Sequence, residues 1–195
     1  MNIILGSQSP RRRELLRGLD IPHTEVCIDA DESYPAGLQG GDIPMYISRA
    51  KAEAYLRMHM LEDDDLLITS DTIVWLDGEV LGKPRDEQDA RRMLRALSGR
   101  THQVYTAVTF AQSGTLTTKV DCTDVTFEPL TETDIDYYVT TYKPLDKAGA
   151  YGIQEWIGYI AASRINGSFY TVMGLPTHLV HRYLSNHQVP VNLKY

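Results

Sequence analysis

Apolar residues along this chain fall into short runs separated by turn residues, and the clearest pair of runs meets at Asp77-Gly78. The run 66–76 precedes this dipeptide, and Glu79–Leu81 follows it. Asp-Gly between apolar runs predicts a hairpin, because both central residues of a type I′ turn need φ > 0. Asp71 therefore lies inside a predicted sheet. A carboxylate there is costly unless it is paired, binds a metal, or faces solvent from an edge strand.

The first residues of the chain predict a strand, a turn of small residues and a helix in quick succession. Asn2–Leu5 is apolar enough for a buried strand, while Ser9 suits an N-cap and Pro10 the first helical position. Such a helix N-terminus binds anions, because free N–H groups and the positive end of the dipole meet there. The cluster Arg11–Arg13 lies in the first turn, where the dipole disfavours cations, and a bound triphosphate would explain it. The alternative is that these arginines are solvated or paired with acids elsewhere.

The rest of the pattern alternates helical stripes with strand-like runs. It predicts strands at His23–Ile28, Thr101–Ala111, Thr115–Phe127 and Ile157–Ile165. It predicts helices capped by Asp42 and by Asp86, the second ended by Gly99, a helix opened by a capping box at Thr131–Asp134, and a helix after Gly174-Leu175-Pro176. The polar tail from Gln188 is predicted to be frayed. We therefore expect an α/β fold with a mixed central sheet and flanking helices. Its single domain would span residues 1–195 and have two lobes.

Composition limits the classes of function. The 195 residues are 43% apolar and 23% charged, which is ordinary for a globular protein, and the formal net charge is −7. This acidic balance argues against a binder of nucleic acids or membrane surfaces, whose footprint is basic. Cys27 and Cys122 form neither a metal-binding spacing nor a disulfide framework, and no apolar run is long enough to span a bilayer. With no signal-peptide pattern at its start, the sequence predicts a cytoplasmic protein with reduced thiols.

Several other residues acquire a role only if a phosphate site exists. The acidic loop Asp29–Glu32 is ordinarily solvated, but Asp31 or Glu32 beside a phosphate could hold a divalent cation through oxygen ligands. Lys51 lies on the flank of an apolar helical stripe, from which it either snorkels to solvent or enters a cleft. The loop Lys143–Ile153 contains Gly and Pro and is a candidate functional connection.

A set of segments spread over the chain is more specific than any one of them. They read SQSPRRRELL, SDTIV, LGKPRD, LSGRTHQVYTAV, DKAGAYGIQ and INGSFYTVMGLP. In this order and spacing they resemble the Maf family of nucleoside triphosphate pyrophosphatases. The resemblance extends from Leu5 to about Leu184.

This resemblance implies a fold of the inosine-triphosphate-pyrophosphatase type, with a cleft between two lobes, in a homodimer. It also implies hydrolysis of a nucleoside triphosphate between the α and β phosphates, with Mg²⁺ or Mn²⁺ as cofactor. Matched by position, the family's phosphate loop corresponds to Ser7, Ser9, Arg11 and Arg12, its metal-binding acid to Glu32, its cleft lysines to Lys51 and Lys83, and its general base or metal ligand to Asp71. Which carboxylate binds the metal and which accepts the proton stays open.

The family divides on a base-recognition signature, and this chain resembles the group associated with dTTP and UTP. Arg12 (or its neighbour Arg11), Thr72 and Gln154 match that group, whereas a related group that prefers 7-methyl-GTP has Trp, His and Glu at these positions. One departure is Glu155, where many relatives have Gly after the Gln. Its side chain adds bulk beside the predicted base pocket.

Two other functions stay open on the sequence. A nucleotide-binding regulator of septum formation would sense rather than hydrolyse, but the presence of both Glu32 and Asp71 favours catalysis, since a sensor needs cations and no base. A 7-methyl-GTP pyrophosphatase is disfavoured by Thr72 and Gln154. The resemblance therefore implies a dTTP/UTP pyrophosphatase, whose physiological substrate could be a modified pyrimidine nucleotide.

Overall fold

The structure, a computed structural model, describes residues 1–187. The strands are β1 (Asn2–Gly6), β2 (Thr24–Val26), β3 (Asp65–Leu76), β4 (Glu79–Leu81), β5 (Thr101–Gln112), β6 (Thr115–Phe127) and β7 (Ala162–Asn166). The helices are α1 (Pro10–Arg17), α2 (Asp42–Met58), α3 (Glu87–Leu97), α4 (Glu132–Tyr142), α5 (Trp156–Ala161), α6 (Phe169–Met173) and α7 (Thr177–Asn186), with a short 3₁₀ turn at Ala148–Ala150. The predicted frayed tail from Gln188 lies outside the described residues.

The strands belong to one seven-stranded sheet in the order β2-β1-β3-β5-β6-β7, with β4 paired to β3. Strand β1 is parallel to β2 and β3, whereas β4 is antiparallel to β3 and β7 antiparallel to β6. Helical crossovers connect the parallel pairs. A two-residue turn connects β3 to β4, whereas the long segment that contains α4 and α5 connects β6 to β7. The prediction of an α/β fold with a mixed sheet and flanking helices is therefore confirmed.

The chain divides into two compact units. Unit 1 comprises Met1–Asp71, Thr106–Asp121 and the residues from Gly174 onward, and unit 2 comprises Thr72–Tyr105 and Cys122–Met173. These units agree with the predicted two lobes. The cleft between the lobes and the assignment of one domain to residues 1–195 stay predictions.

The core of unit 1 includes the first half of β3, where residues 66–71 are all buried. Leu66, Leu67 and Ile68 are fully shielded from solvent, as is Leu5 in the neighbouring β1. A strand that is buried on both faces has a continuous apolar sequence rather than an alternating one. The polar residues at the end of this run are consequently placed in an almost dry environment.

The core of unit 2 contains an aromatic cluster around His102. The His102 ring is edge-on to Phe127 and Tyr151, with ring centroids 5.0 and 5.4 Å away, and its Nε2 lies 2.8 Å from the Tyr151 hydroxyl. Its Nδ1 is buried without a hydrogen-bond partner among the described residues. Burial lowers the pKa of His102 to about 4, because the charged imidazolium would lose its hydration there.

The predicted turns and caps are confirmed at several positions. Asp77 and Gly78 have φ of 52° and 88°, as a type I′ hairpin requires, and they join β3 to β4. The Asp86 side chain accepts a hydrogen bond from the Asp89 N–H at 2.8 Å and caps α3. The reciprocal capping box between Thr131 and Asp134 opens α4.

Two local predictions are wrong, and one helix was missed. The predicted strand Ile157–Ile165 is a helix, α5, up to Ala161 and a strand, β7, only after it. Ile157 and Ala161 are buried four residues apart while Tyr159 and Ile160 are exposed, which is helical spacing that a short apolar run conceals. Helix α6 was not predicted, and Asp42 is the first residue of α2 rather than its cap, which is Gly41.

Candidate active site

An ammonium held between two carboxylates lies in unit 1. Lys51 Nζ is 2.7 Å from Asp71 Oδ1 and 2.9 Å from Glu32 Oε1. Asp71 is only 8% exposed, whereas Glu32 is exposed. Removing Lys51 would leave the Asp71 carboxylate buried beside one fewer cation, which is energetically costly. The three residues predicted from the sequence are thus brought together.

Each member of this cluster comes from a different element. Lys51 is in the middle of α2, flanked by the buried Ile47 and Ala54, so the helix face that packs on the core also carries the lysine at its edge. Asp71 follows the buried apolar run of β3, and Glu32 belongs to the loop after β2. The core packing of α2 and β3 therefore determines where the charges lie, while the loop supplies the exposed carboxylate.

The predicted succession of strand, turn and helix is present at the start of the chain, as β1, residues 7–9 and α1. The Ser7 hydroxyl accepts a hydrogen bond from the Ser9 N–H at 3.2 Å. Ser9 is the N-cap residue and Pro10 opens the helix, but the Ser9 side chain makes no capping hydrogen bond. The first turn of α1 contains no acidic residue. Its N–H groups and dipole consequently favour an anion at this end.

Arg12, in the first turn of α1, is electrostatically coupled to the carboxylate cluster. Its Nε donates to the Gly174 carbonyl at 2.7 Å. Burial lowers the pKa of Arg12, Asp71 and Glu32 raise it, and the neighbouring Arg11 lowers it. A guanidinium stays protonated under such shifts, so Arg12 is a fixed positive charge near both carboxylates.

The three consecutive arginines do not share one role. Arg13 Nη1 is 2.9 Å from Glu25 Oε2, and Arg13 Nη2 donates to the Gln8 carbonyl at 3.2 Å. For Arg13, the alternative of pairing with an acid elsewhere is therefore correct. Arg11 and Arg12 remain the candidates for phosphate binding.

The sequence did not indicate the part played by Ser70. Its buried hydroxyl lies 2.7 Å from the Ala107 carbonyl and 3.2 Å from the Gly174 carbonyl, which also accepts from Arg12. Ser70 thus ties β3 to β5 and to the segment before α7, next to Asp71. The only sequence signal was a polar residue inside an otherwise apolar strand, which indicates a buried hydrogen bond without naming its partner.

The remaining predicted residues, Thr72, Lys83 and Gln154, belong to unit 2. Thr72 is half-buried in β3, and Lys83 is exposed in the segment between β4 and α3. The Gln154 side-chain oxygen, Oε1, is buried and has no hydrogen-bond partner among the described residues. A buried amide oxygen without a partner costs free energy, so it indicates a missing donor. The convergence of these residues with the unit 1 cluster on one substrate stays a prediction.

The carboxylates of Glu32 and Asp71 suit a metal ion that is also coordinated by phosphate. Within residues 1–187, no group of three or more His, Cys, Asp and Glu side chains is arranged to hold a metal ion. Mg²⁺ is usually bound by one or two carboxylates together with substrate phosphates and water. Glu32 and Asp71 match that donor set, and they already attract the Lys51 ammonium.

No helix in the described part of the chain has the length and apolarity to cross a membrane.

Comparison with solved structures identifies a fold relative. The Staphylococcus aureus Ham1 protein matches with a TM-score of 0.53 at 15% sequence identity, covering 96% of this chain and 100% of that one. At this identity the likeness concerns the fold alone. It agrees with the predicted inosine-triphosphate-pyrophosphatase type.

Comparison of sequences identifies much nearer relatives. A protein of Porphyromonas gingivalis named dTTP/UTP pyrophosphatase is 55% identical over 186 residues, which cover 94% of this chain and 93% of that protein. Proteins with the same name in Bacteroides thetaiotaomicron and Flavobacterium psychrophilum are 54% and 46% identical, covering 89% and 95% of this chain and 90% and 94% of their own lengths. The family model described as Maf-like protein matches residues 2–187. This chain belongs to the Maf family.

Proposed function

We propose that this protein is a nucleoside triphosphate pyrophosphatase that cleaves dTTP and UTP between the α and β phosphates, releasing a monophosphate and pyrophosphate. The observation that carries the proposal is the Lys51 ammonium held 2.7 Å from Asp71 and 2.9 Å from Glu32. The names of the relatives, which share about half of their residues with this chain, support the same substrates.

The positive side chains would bind the triphosphate. Phosphoryl transfer offers a protein little covalent chemistry, so positioning and charge stabilisation dominate. Arg11, Arg12 and the N-terminus of α1 would hold phosphate oxygens in unit 1, and Lys83 would contribute a further charge. The departing pyrophosphate gains negative charge as the bond breaks, and these cations favour that state over the ground state.

A divalent cation is part of the proposal. Glu32 and Asp71 would hold Mg²⁺ or Mn²⁺ together with the phosphates of the substrate. When bound, the ion supplies charge neutralisation and lowers the pKa of water. Lys51 keeps both carboxylates close together in the protein itself, at the distances given above.

Asp71 is the proposed general base. Its carboxylate is buried on β3 and accepts a hydrogen bond from Lys51 at Oδ1. A carboxylate at this position could accept a proton from the attacking water. Glu32 is exposed, and its more solvated carboxylate suits a ligand role better than a proton-accepting one.

We propose that Gln154 and Thr72 recognise the base of the nucleotide. The buried Gln154 Oε1 lacks a donor, and the N3–H of uracil or thymine could supply one. The amide nitrogen could then donate to O4 of the same base. A site built on such hydrogen bonds rejects bases that leave its polar groups unpaired.

The test is pyrophosphate release from a panel of standard and modified nucleoside triphosphates in the presence of Mg²⁺. We expect dTTP and UTP to be hydrolysed with a higher kcat/KM than the purine nucleotides. Preference for 7-methyl-GTP would contradict the base assignment. Binding of nucleotides without release from any of them would support the alternative function, a nucleotide-sensing regulator.

We further propose that the protein acts in the cytoplasm as a homodimer. Cys27 and Cys122 are exposed and not joined in a disulfide, which suits a reducing compartment. The dimer rests on the family resemblance. Analytical ultracentrifugation tests it, and a monomer at micromolar concentration would contradict it.

A further inference from the structure

A buried lysine in unit 2 has no place in the chemistry described so far. Lys147 is 7% exposed, and its Nζ lies 2.8 Å from Asp146 Oδ1 and 3.2 Å from Glu155 Oε1. Burying an ammonium is expensive, and an ion pair repays that cost only with good geometry and further hydrogen bonds. The pair between Lys147 and Glu155 therefore fixes the position of the glutamate side chain.

The other oxygen of Glu155 is also engaged. Its Oε2 accepts a hydrogen bond from the hydroxyl of Tyr138, which is fully buried in α4. The same hydroxyl accepts from the Gly152 N–H at 3.0 Å. Burial and the Glu155 carboxylate raise the pKa of Tyr138, so its hydroxyl stays protonated and donates to the carboxylate.

These contacts close a turn that contains Gln154. The Glu155 N–H donates to the Gly152 carbonyl at 2.9 Å, so the two ends of the segment Gly152–Glu155 are joined by their backbones. The Glu155 carboxyl group also folds over Gly152, where an added Cβ would lie 2.8 Å from Glu155 Cδ. Tyr138 contacts both ends of the turn at once. The Glu155 side chain, which the sequence predicts to lie beside the base pocket, is turned toward Tyr138 and Lys147.

A fixed backbone matters for base recognition by Gln154. Uracil presents an N–H donor at N3 and an acceptor at O4, whereas cytosine presents an acceptor at N3 and a donor at N4. A glutamine amide can pair with either base, because rotation of the amide exchanges its donor and its acceptor. Discrimination between UTP and CTP consequently depends on holding Gln154 in one arrangement.

We propose that Lys147, Glu155 and Tyr138 form a positioning network that fixes Gln154 and thereby sets the discrimination between uracil and cytosine nucleotides. The inference rests on the proposed role of Gln154 as base reader. None of the three residues needs to touch the substrate. Their effect passes through the backbone of the Gly152–Glu155 turn.

The test compares UTP with CTP, which share the same sugar and phosphates. Tyr138→Phe and Glu155→Gln are expected to lower the ratio of kcat/KM for UTP over CTP by about tenfold, the value of one well-placed hydrogen bond. The matched control is Tyr142→Phe, since Tyr142 stacks on Tyr138 from the same helix with ring centroids 5.0 Å apart. This control removes a hydroxyl without touching the turn, and we expect the ratio to stay at the wild-type value.

Two further measurements separate this inference from the proposed function. The Kd values of α,β-methylene UTP and CTP report the same discrimination without any turnover. In a Gln154→Ala background, Tyr138→Phe is expected to cause no additional loss of the ratio, because both substitutions act through one side chain.

The outcomes are distinct. If Gln154→Ala lowers the ratio and Tyr138→Phe and Glu155→Gln do not, the network is purely structural and the inference is overturned while the base assignment stands. An unchanged ratio in Gln154→Ala itself overturns both the base assignment and the network. The inference is also overturned if Tyr138→Phe lowers the UTP/CTP ratio of kcat/KM by the same factor in the Gln154→Ala background as in wild type. The network would then act by another route.

Discussion

Lys51 is the residue on which the charge balance of unit 1 depends. Its ammonium neutralises part of the charge of Glu32 and Asp71 at distances of 2.9 and 2.7 Å. The same carboxylates are the proposed metal ligands, so a divalent cation held there would compete with the lysine for them. We therefore expect Lys51 to hold the two carboxylates together and to weaken metal binding to the substrate-free protein.

Lys51→Met is therefore expected to raise the affinity of the substrate-free protein for Mn²⁺ by about tenfold, because a unit positive charge beside both carboxylates is removed. Mn²⁺ titration followed by electron paramagnetic resonance measures this directly. Arg57→Met, an exposed cation near the end of the same helix, is the control and should leave the affinity unchanged. An equal or weaker Mn²⁺ affinity in Lys51→Met would contradict the competition.

Asp71→Asn keeps the shape of the side chain and removes its basicity. We expect kcat for pyrophosphate release from UTP to fall by about 10²–10⁴-fold, the usual contribution of a general base. Binding of α,β-methylene UTP should stay within about tenfold of wild type, because the phosphate contacts remain. Asp63→Asn in the exposed acidic loop is the control. Wild-type turnover in Asp71→Asn would show that another group accepts the proton.

At the scale of elements, the start of α3 holds the segment that carries Lys83. The Asp86 carboxylate caps α3 by accepting a hydrogen bond from the Asp89 N–H. The Asp89 carboxylate accepts a hydrogen bond from the backbone N–H of Arg85 at 3.1 Å. On the other side, the Gly82 carbonyl accepts from the Gly149 N–H at 3.1 Å. The exposed Lys83 is thus flanked by anchored residues, which limits the entropy that it loses on binding a phosphate.

Asp86→Ala should lower the free energy of unfolding by about 1 kcal/mol, as the loss of an N-cap usually does. It should also raise KM for UTP, because the Lys83 segment loses one of its anchors. Urea denaturation and steady-state kinetics measure the two effects. Thr131→Ala breaks the capping box of α4 with a similar loss of stability and is expected to leave KM unchanged. Equal KM effects in both variants would indicate a general loosening of unit 2.

At the scale of the whole molecule, His102 couples stability to pH. Its pKa falls from 6.5 to about 4 on burial, so the unfolded chain binds a proton at higher pH than the folded one. The contribution of His102 to stability is therefore constant above pH 6.5 and decreases as the pH falls from 6.5 toward 4. Integrated over that range, the loss amounts to roughly 3 kcal/mol.

His102→Gln removes this titration while keeping a polar group near the Tyr151 hydroxyl. We expect its free energy of unfolding, measured by urea titration, to change less than that of wild type between pH 7 and pH 4. His181→Gln alters an exposed histidine of α7 and should retain the wild-type slope. If the free energy of unfolding of His102→Gln fell with pH as steeply as that of wild type, other groups would account for the acid sensitivity.

Much of this protein could be predicted from local sequence, because local chemistry decides it. The Asp77-Gly78 hairpin needs positive φ at both residues, and the caps at Asp86 and Thr131 bind N–H groups only three residues away. The mixed sheet follows from the alternation of apolar runs with helical stripes. The chain's own pattern had singled out Arg11, Arg12, Glu32, Lys51 and Asp71. The family resemblance completed the set of ten candidate site residues, whose roles stay predictions.

Only the tertiary structure decided which charges meet. Arg11–Arg13 are equivalent in sequence, yet Arg13 pairs with Glu25 while Arg12 reaches Gly174, 162 positions away. The run after Glu155 contains too few turns for its period to distinguish a helix from a strand, and packing of Ile157 and Ala161 selected the helix. Lys51, Glu32 and Asp71 lie on three elements, and Tyr138 reaches Glu155 from a fourth. Such contacts depend on how the elements pack, because electrostatic and hydrogen-bond energies depend on distances in space rather than along the chain.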